Sequence, residues 1–305
     1  MGTFIARRCL QSVVVLVGVS VISFALVHLS GDPINLLLPF DATPQQIADA
    51  RRYWGLDEPL LVQYGRFFDR VVRGDLGVSM KHNQPVTLLI ADRLPATAEL
   101  AVAAMTLALV VAIPVGVLSA TRPYSLADRF ATVAALLGKS APSFWIALLL
   151  VMVFAVNLGW FPATGRGSLS QLVLPSVTLA LGAMATLTRL TRTSLLDELR
   201  MDYLRTARAK GLSEWATLVN HGLRNAWIPV ITVAGLQFAS LLGGAFVTES
   251  IFAWPGLGQL VVRAIYDRDL PLIQGATMFF AGLFVVMNLA VDTLYAVVDP
   301  RVRRA

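Results

Sequence analysis

The sequence predicts an all-α integral membrane protein with six transmembrane helices. Of the 305 residues, 56% are apolar and only 14% are charged, a composition outside the range of ordinary soluble domains. The apolar residues also gather into six stretches, each near the ~20 residues a helix needs to cross a bilayer. A third observation organises the rest. Between the fourth and fifth stretches lies a basic segment of mixed charge, from Arg189 to Pro229, that reads as a soluble surface held against a membrane.

The first span is Cys9–Leu29, preceded by Arg7 and Arg8. It is longer than the apolar part of a signal peptide and has no small-residue cleavage site after it, so it is read as a retained helix. Ser30–Pro95 follows as an ordered polar segment. Thr43 caps a helix that has Pro44 at its first position and runs to about Trp54. A second helix starts near Pro59, with Leu60, Tyr64, Phe67, Phe68, Val71 and Val72 on one face, and Gly74 and Gly77 end it. The remaining spans are Ala96–Ala120, Phe130–Leu158, Leu172–Thr188, Pro229–Thr248 and Leu272–Val298. Lys139 and Pro142 interrupt the third of the six, and prolines 114, 142 and 175 kink their helices. The domains are therefore 1–29, a first transmembrane helix; 30–95, a small helical segment outside the membrane; and 96–305, a core of five helices with the loop 189–228.

Orientation follows from the short loops. Arg7, Arg8, Arg122, Arg129, the Arg-rich 189–228 loop, Arg301, Arg303 and Arg304 fall on one side, against Arg166, Arg263 and Arg268 on the other. Positive loops stay inside, so both termini and the 189–228 loop are assigned to the cytoplasm and 30–95 to the exterior. The net charge of +6 belongs to these loops. No basic patch is interleaved with base-stacking aromatics, which argues against a nucleic-acid partner.

Covalent chemistry finds no support. Gly138-Lys139-Ser140 looks like the tail of a phosphate-binding loop, but Val133 stands where that loop needs glycine and no strand precedes it. The three histidines are scattered, and a single cysteine, Cys9, leaves no metal cluster or internal disulfide. Lys139 itself has two readings: a pathway-lining cation that attracts carboxylates, or a lysine that snorkels or pairs with a partner subunit. Asn288 and Asp292 fit a helix-packing hydrogen bond. Gly235, Ala239 and Gly243 form a stripe of small residues for close helix approach, within the chain or against a partner helix. In the second case Gln237 and Ser240 would line a shared pathway.

The segment after Arg189 holds the pattern Asp202-Tyr203-x-x-Thr206-Ala207-x-Ala209-Lys210-Gly211, then His221-Gly222-x-Arg224-Asn225-Ala226 and Ile228-Pro229. It predicts a helix from about Thr193 to Lys210, a turn at Gly211, and a short helix capped by Ser213 and ending near Asn220. Such a rigid elbow can pass on a partner's movement, whereas a floppy loop would absorb it.

This elbow resembles the coupling loop of the membrane subunits of ABC importers, and specifically that of the dipeptide/oligopeptide/nickel permease family. Other importer branches begin the motif Glu-Ala-Ala; here those positions are Arg205, Thr206 and Ala207. Further family-like motifs run along the chain: Gly31-Asp32-Pro33, Gly55-Leu56-Asp57-x-Pro59-Leu60-x-x-Gln63-Tyr64, Gly74-Asp75-Leu76-Gly77-x-Ser79, Glu249-x-x-Phe252-x-x-Pro255-Gly256-Leu257-Gly258 and Asp292-x-x-Tyr295-x-x-x-Asp299-Pro300-Arg301. In order, they are most similar to the glutathione- and dipeptide-type first permease subunit.

The resemblance implies a type I ABC importer permease fold in the bacterial inner membrane. It implies a second homologous permease subunit completing the pathway, two ATPase subunits that carry ATP and magnesium, and an extracytoplasmic substrate-binding protein. Tyr203, Thr206, Ala207, Ala209, Lys210, Gly211, His221, Arg224, Asn225 and Pro229 would form the coupling loop. Glu249, Trp254, Pro255, Gly256 and Gly258 would lie at the outer mouth, either touching the binding protein or capping the bundle. Two other classes remain open: an ion-gradient-driven secondary transporter or channel centred on Lys139 and Asp292, and a membrane scaffold that only docks soluble proteins.

Overall fold

The computed structural model describes residues 2–29, 43–54 and 56–298. Gly31-Asp32-Pro33, Gly55, Asp299-Pro300-Arg301, Arg303 and Arg304 lie outside the described residues. Along the chain the helices are α1 (Gly2–Leu29), α2 (Pro44–Trp54), α3 (Leu60–Val72), α4 (Val86–Thr121), α5 (Leu126–Ser140) and α6 (Ser143–Leu150, running on as a π-helical stretch Val151–Asn157). Then come α7 (Leu169–Leu199), α8 (Asp202–Ala209), α9 (Glu214–Thr217, followed by a π-helical turn Leu218–Gly222), α10 (Leu223–Gly244), α11 (Phe246–Ile251), α12 (Leu257–Tyr266) and α13 (Leu270–Val298). No strand forms among the described residues; an isolated bridge joins Val78 and Pro85.

Five of these segments are long and apolar enough to cross a membrane: Leu10–Leu29, Val86–Thr121, Leu169–Leu199, Glu214–Gly244 and Leu270–Thr293. The sixth is a pair, Leu126–Ser140 and Ser143–Asn157, bent by 105°. The span over Phe130–Leu158, expected to be interrupted at Lys139 and Pro142 and kinked, is broken outright there. Pro142 has no N–H to continue the ladder, and its ring disfavours helical geometry at the residue before it. Ala141 is accordingly extended, with φ −76° and ψ 133°. The helices of the fourth and fifth spans run on past the expected apolar stretches into the basic segment.

The chain divides into two units, residues 1–95 with 259–286, and residues 96–258 with 287–305. In the first, α3 lies on α1. Phe24 meets Tyr64 edge-on at 5.5 Å and Phe67 at 5.9 Å. Ser20 Oγ and Tyr64 Oη are 2.9 Å apart, and His28 Nε2 is 3.1 Å from Gln63 Oε1. Phe67 is buried, whereas Leu60 and Val72, expected on the same face, are exposed at its two ends. Thr43 caps α2 as expected, and Gln46 makes the cap reciprocal, with Thr43 N donating to Gln46 Oε1 at 2.8 Å and Gln46 N to Thr43 Oγ1 at 3.3 Å. Past α3, Gly74 (φ 79°) and Gly77 (φ 86°) turn the chain. Buried Asp269 then ties the 79–81 turn down, accepting from Ser79 Oγ, Met80 N and Lys81 N, and from Leu272 N at the start of α13.

The second unit is built on α7, whose buried residues include Leu174, Ala180, Ala183, Leu187, Thr191 and Leu195. Its core with α4 and α10 consists largely of small side chains: Ala104, Ala108, Ala112, Ala180 and Ala183, with Met105, Leu187 and Val230. Gly116 on α4 marks a close crossing, since a Cβ there would stand 2.6 Å from Thr191 Cβ and 2.9 Å from the Thr188 carbonyl. Gly235 of the small-residue stripe packs within the chain, where its Cβ would fall 2.5 Å from Val291.

Candidate coupling elbow and associated polar sites

The elbow begins where α7 stops at Leu199 and Met201 turns extended (φ −73°, ψ 143°) to start α8. The expected helix over Thr193–Lys210 is thus two helices broken at Arg200–Met201. At the end of α8, Gly211 adopts φ +83° and its N–H donates to Arg208 O at 2.9 Å. Leu212 N–H reaches back to Ala207 O at 3.3 Å. This is a glycine-terminated helix end of the kind that needs a left-handed residue. Ser213 then caps α9, accepting from Ala216 N at 3.2 Å, and Arg208 Nε pairs with Glu214 Oε1 at 2.9 Å across the turn. The second helix is not the short one expected to Asn220. It passes through the π-helical turn at 218–222 into α10, so Pro229 sits inside a helix rather than opening one.

Two kinds of contact make the elbow rigid. Its inner face carries Leu204, fully buried, and Ala207; a Cβ on Gly222 would touch Leu195 at 3.5 Å and Leu204 at 3.7 Å. Leu195, Leu218, Ala226 and Ala120 form the cluster beneath. On the outer face, Tyr203 Oη donates to the Glu198 carboxylate and accepts from Asn225 Nδ2 at 3.0 Å. One phenol thus links α7, α8 and α10. Partial burial, then the hydrogen bond to Glu198, raise the Tyr203 pKa above the ordinary phenol value.

The residues left outward are Met201, Leu212, Trp215 and Val219, with Trp215 73% exposed, among Thr206, Ala209, Lys210, His221 and Arg224. An apolar knob in a rim of mixed charge, with Asp202 and Glu214 exposed beside the basic residues, is a surface suited to a partner's groove. Of the predicted loop residues, the structure brings Tyr203, Asn225, Gly211 and Ala207 into the fold of the elbow and leaves the others exposed or half-buried on it.

In the Glu249–Gly258 element the motif residues face mostly inward. Glu249 and Trp254 are fully buried, and Gly256 and Gly258 are inside as well, with Pro255 half-buried. Thr97 Oγ1 donates to Glu249 Oε1 at 2.7 Å and accepts from Leu257 N at 2.8 Å. Trp254 Nε1 donates to Ala96 O at 2.8 Å. A Cβ on Gly256 would lie 2.2 Å from the Glu249 carboxylate, so the glycine makes the room that the carboxylate fills. Arg166 lies over the Trp254 ring at 5.8 Å and donates to Glu99 Oε2 through Nε and Nη2 at 2.8 and 2.6 Å.

Sequence reasoning missed that pair and a second one. Arg192 grips buried Asp128 with Nε and Nη2 at 2.6 and 2.8 Å, and Tyr124 N adds a third bond to the same carboxylate. The spacing Ser125-x-x-Asp128 announces a helix start, and Ser125 Oγ does accept from Asp128 N at 3.2 Å. Nothing local announces a partner on α7. Of the pathway candidates, Lys139 is exposed with Nζ 3.2 Å from Thr186 Oγ1, Ser240 is exposed and Gln237 half-buried. Among the described residues no group of His, Cys, Asp and Glu is arranged to hold a metal ion.

Two family patterns cover the chain. Residues 112–304 match the binding-protein-dependent transport system inner membrane component, and residues 1–101 match the N-terminal component of the same family. The chain belongs to that family. Its relatives include the oligopeptide transport system permease protein AppB of Bacillus subtilis (strain 168), 44% identical over 99% of both chains. The dipeptide transport system permease protein DppB of Alkalihalophilus pseudofirmus is 40% identical over 99% of this chain and all of the relative. The glutathione transport system permease protein GsiC of Salmonella paratyphi A is 42% identical over 99% of both. Among solved structures, the inward-facing MetNI methionine ABC transporter shares the fold with a TM-score of 0.56 at 19% identity, covering 70% of this chain and 97% of that one. An amino acid ABC transporter with histidines gives 0.53 at 16% identity, over 70% and 94%. As a member of the family, the chain is a multi-pass inner-membrane permease subunit of a binding-protein-dependent importer.

Proposed function

We propose that this chain forms half of the translocation pathway of a peptide importer, for dipeptides, oligopeptides or glutathione-like solutes, and is driven through its 200–225 elbow. The observation that carries the reading is the elbow itself: buried Leu204 and the Glu198–Tyr203–Asn225 link brace it, while Trp215 and its neighbours stay outward. Full-length similarity to three peptide-type permeases supports the substrate class. A second homologous permease completes the pathway, two ATPase subunits bring ATP and magnesium to the elbows, and an extracytoplasmic binding protein delivers the peptide. The chain has no nucleotide site of its own. Both termini and the elbow face the cytoplasm, consistent with the arginine distribution. Lys139, Gln237 and Ser240 line the path, and the Glu249–Gly258 element supports its outer end from within the bundle.

The mechanism is a shift between two states that nucleotide binds unequally. ATP draws the ATPases together, the elbows follow as rigid bodies, and the helices tilt to open outward; hydrolysis restores the inward-open state. Gentle purification of the tagged chain tests the reading. Co-recovery of a second permease and P-loop ATPases, with ATP-dependent peptide uptake in liposomes, is the expected result. A chain that emerges alone and moves solute on a proton or sodium gradient overturns it in favour of a secondary transporter.

A further inference from the structure

Lys139 lies in the last turn of α5, beside the 105° break. Helices α5 and α7 come close there, for a Cβ on Gly138 would stand 3.6 Å from Leu181 O. On α7 the positions Gly182, Thr186, Arg189 and Thr193 follow one another at spacings of four, three and four, which places them on a single face. Gly182, Arg189 and Thr193 are exposed and Thr186 is half-buried, while Ala183, Ala185, Leu187, Thr188 and Thr191 are buried. A Cβ on Gly182 would meet nothing within 4 Å, so the space beside this face is open.

The charges set this face apart from its neighbourhood. One turn away, Arg192 is neutralised by Asp128. Lys139 and Arg189 have no carboxylate partner among the described residues; Lys139 has only the Thr186 hydroxyl. Thr186 donates its own proton to Gly182 O at 3.1 Å, which leaves its oxygen to accept from Lys139 and hold the ammonium in place. An ammonium carries three donors, so two of those of Lys139 remain for another group. Lys139 falls inside a membrane segment beside broken backbone, and an uncompensated cation there lines water or protein rather than lipid; Arg189 stands two turns along α7 from Gly182, at the edge of the basic segment.

We propose that Lys139, steadied by the Thr186 hydroxyl, and Arg189 form a cationic wall of the translocation pathway that binds a carboxylate of the passing solute. This rests on the permease reading and deepens it by naming the recognised group. Neutralising the wall should slow passage without touching the binding protein's own affinity, because that protein selects its ligand before delivery.

The test uses the complete complex in liposomes, in a Cys9→Ser background, with cysteine placed at Thr186 or at buried Ala183. Anionic and cationic water-soluble thiosulfonates are the probes. Thr186→Cys should react and Ala183→Cys should not. The anionic-to-cationic rate ratio at Thr186→Cys should fall about tenfold in Lys139→Gln and hold in Lys139→Arg, as a local field of one sign requires. Uptake in Lys139→Gln should drop about tenfold while ATPase stimulation by the liganded binding protein stays within about twofold, since only transit is slowed. An unreactive Thr186→Cys, or a ratio indifferent to Lys139→Gln, overturns the proposal. So does loss of permease–permease co-purification in Lys139→Gln, which would assign the lysine to a carboxylate on the partner subunit. Failure of the unsubstituted complex to take up peptide strikes the permease reading instead, because the reactivity ratio is read without transport.

Discussion

The 200–225 elbow and the 246–258 element are both glycine-punctuated runs flagged by the same kind of sequence motif, yet they spend their motif residues in opposite ways. The elbow buries Leu204 and Ala207 and keeps Trp215, Lys210 and Arg224 at the surface. The other element puts Glu249, Trp254, Gly256 and Gly258 inside. One motif describes a surface held rigid; the other describes a fold condition. The difference teaches that a motif's function is read from which of its members face outward.

Substitutions sharpen this contrast, beginning with the largest effect. Trp254→Ala removes a fully buried indole and its hydrogen bond to the Ala96 carbonyl; the loss should be about 3–5 kcal/mol and show as collapse of thermal stability in detergent. Gly256→Ala sets a methyl against the Glu249 carboxylate. It should cost about 1–3 kcal/mol by the same assay, with Thr97 losing its carboxylate partner. In the elbow, Gly211→Val meets no clash, only the φ of +83°. A local cost of about 1–2 kcal/mol should leave membrane insertion intact while uncoupling ATP hydrolysis from uptake; normal uptake in that variant would remove the elbow from the mechanism. Trp215→Ala, at 73% exposure, should leave thermal stability unchanged and weaken ATPase co-purification by about tenfold or more if Trp215 anchors the interface. Tyr203→Phe is the mildest, under about 1 kcal/mol for two exposed hydrogen bonds. Because the Tyr203 pKa is raised, its contribution is complete below the ordinary phenol pKa and is lost as pH rises beyond it. The melting temperature measured above about pH 10 should therefore fall further in the parent than in the variant.

Much of the architecture was legible because lipid demands it: uninterrupted apolar runs can only be helices. The α2 cap at Thr43, the Ser213 cap and the Gly211 turn were legible because each is a local contract between neighbours. The breaks at Arg200–Met201 and at Ala141 were harder. The first replaces a propensity that reads as helix throughout. The second needed Pro142's effect on its predecessor to be weighed as a break, not a kink. Least legible were the pairs Asp128–Arg192 and Glu99–Arg166, which join residues 64 and 67 positions apart. Their partners are selected by packing, and no periodicity encodes them. The burial of Glu249 was hidden for a related reason, because Thr97 and Gly256 make its niche from separate segments.

The seam between α4, α7 and α10 is lined with Ala104, Ala108, Ala112, Ala180 and Ala183. Alanine has no rotamer to change and no knob to lift from a hole, so two such surfaces resist separation more than they resist slippage. A ratchet of leucines would lock the helices in register, and a shear of small side chains can glide by fractions of a helical turn. At these five alanines, between α4 and α7, a tilting motion would meet no tooth, while Met105, Leu187 and Val230 beside them are where it would meet resistance. Ala108→Leu would supply a tooth; cysteine pairs across the seam, cross-linked in each nucleotide state, would then report one register where the parent reports two.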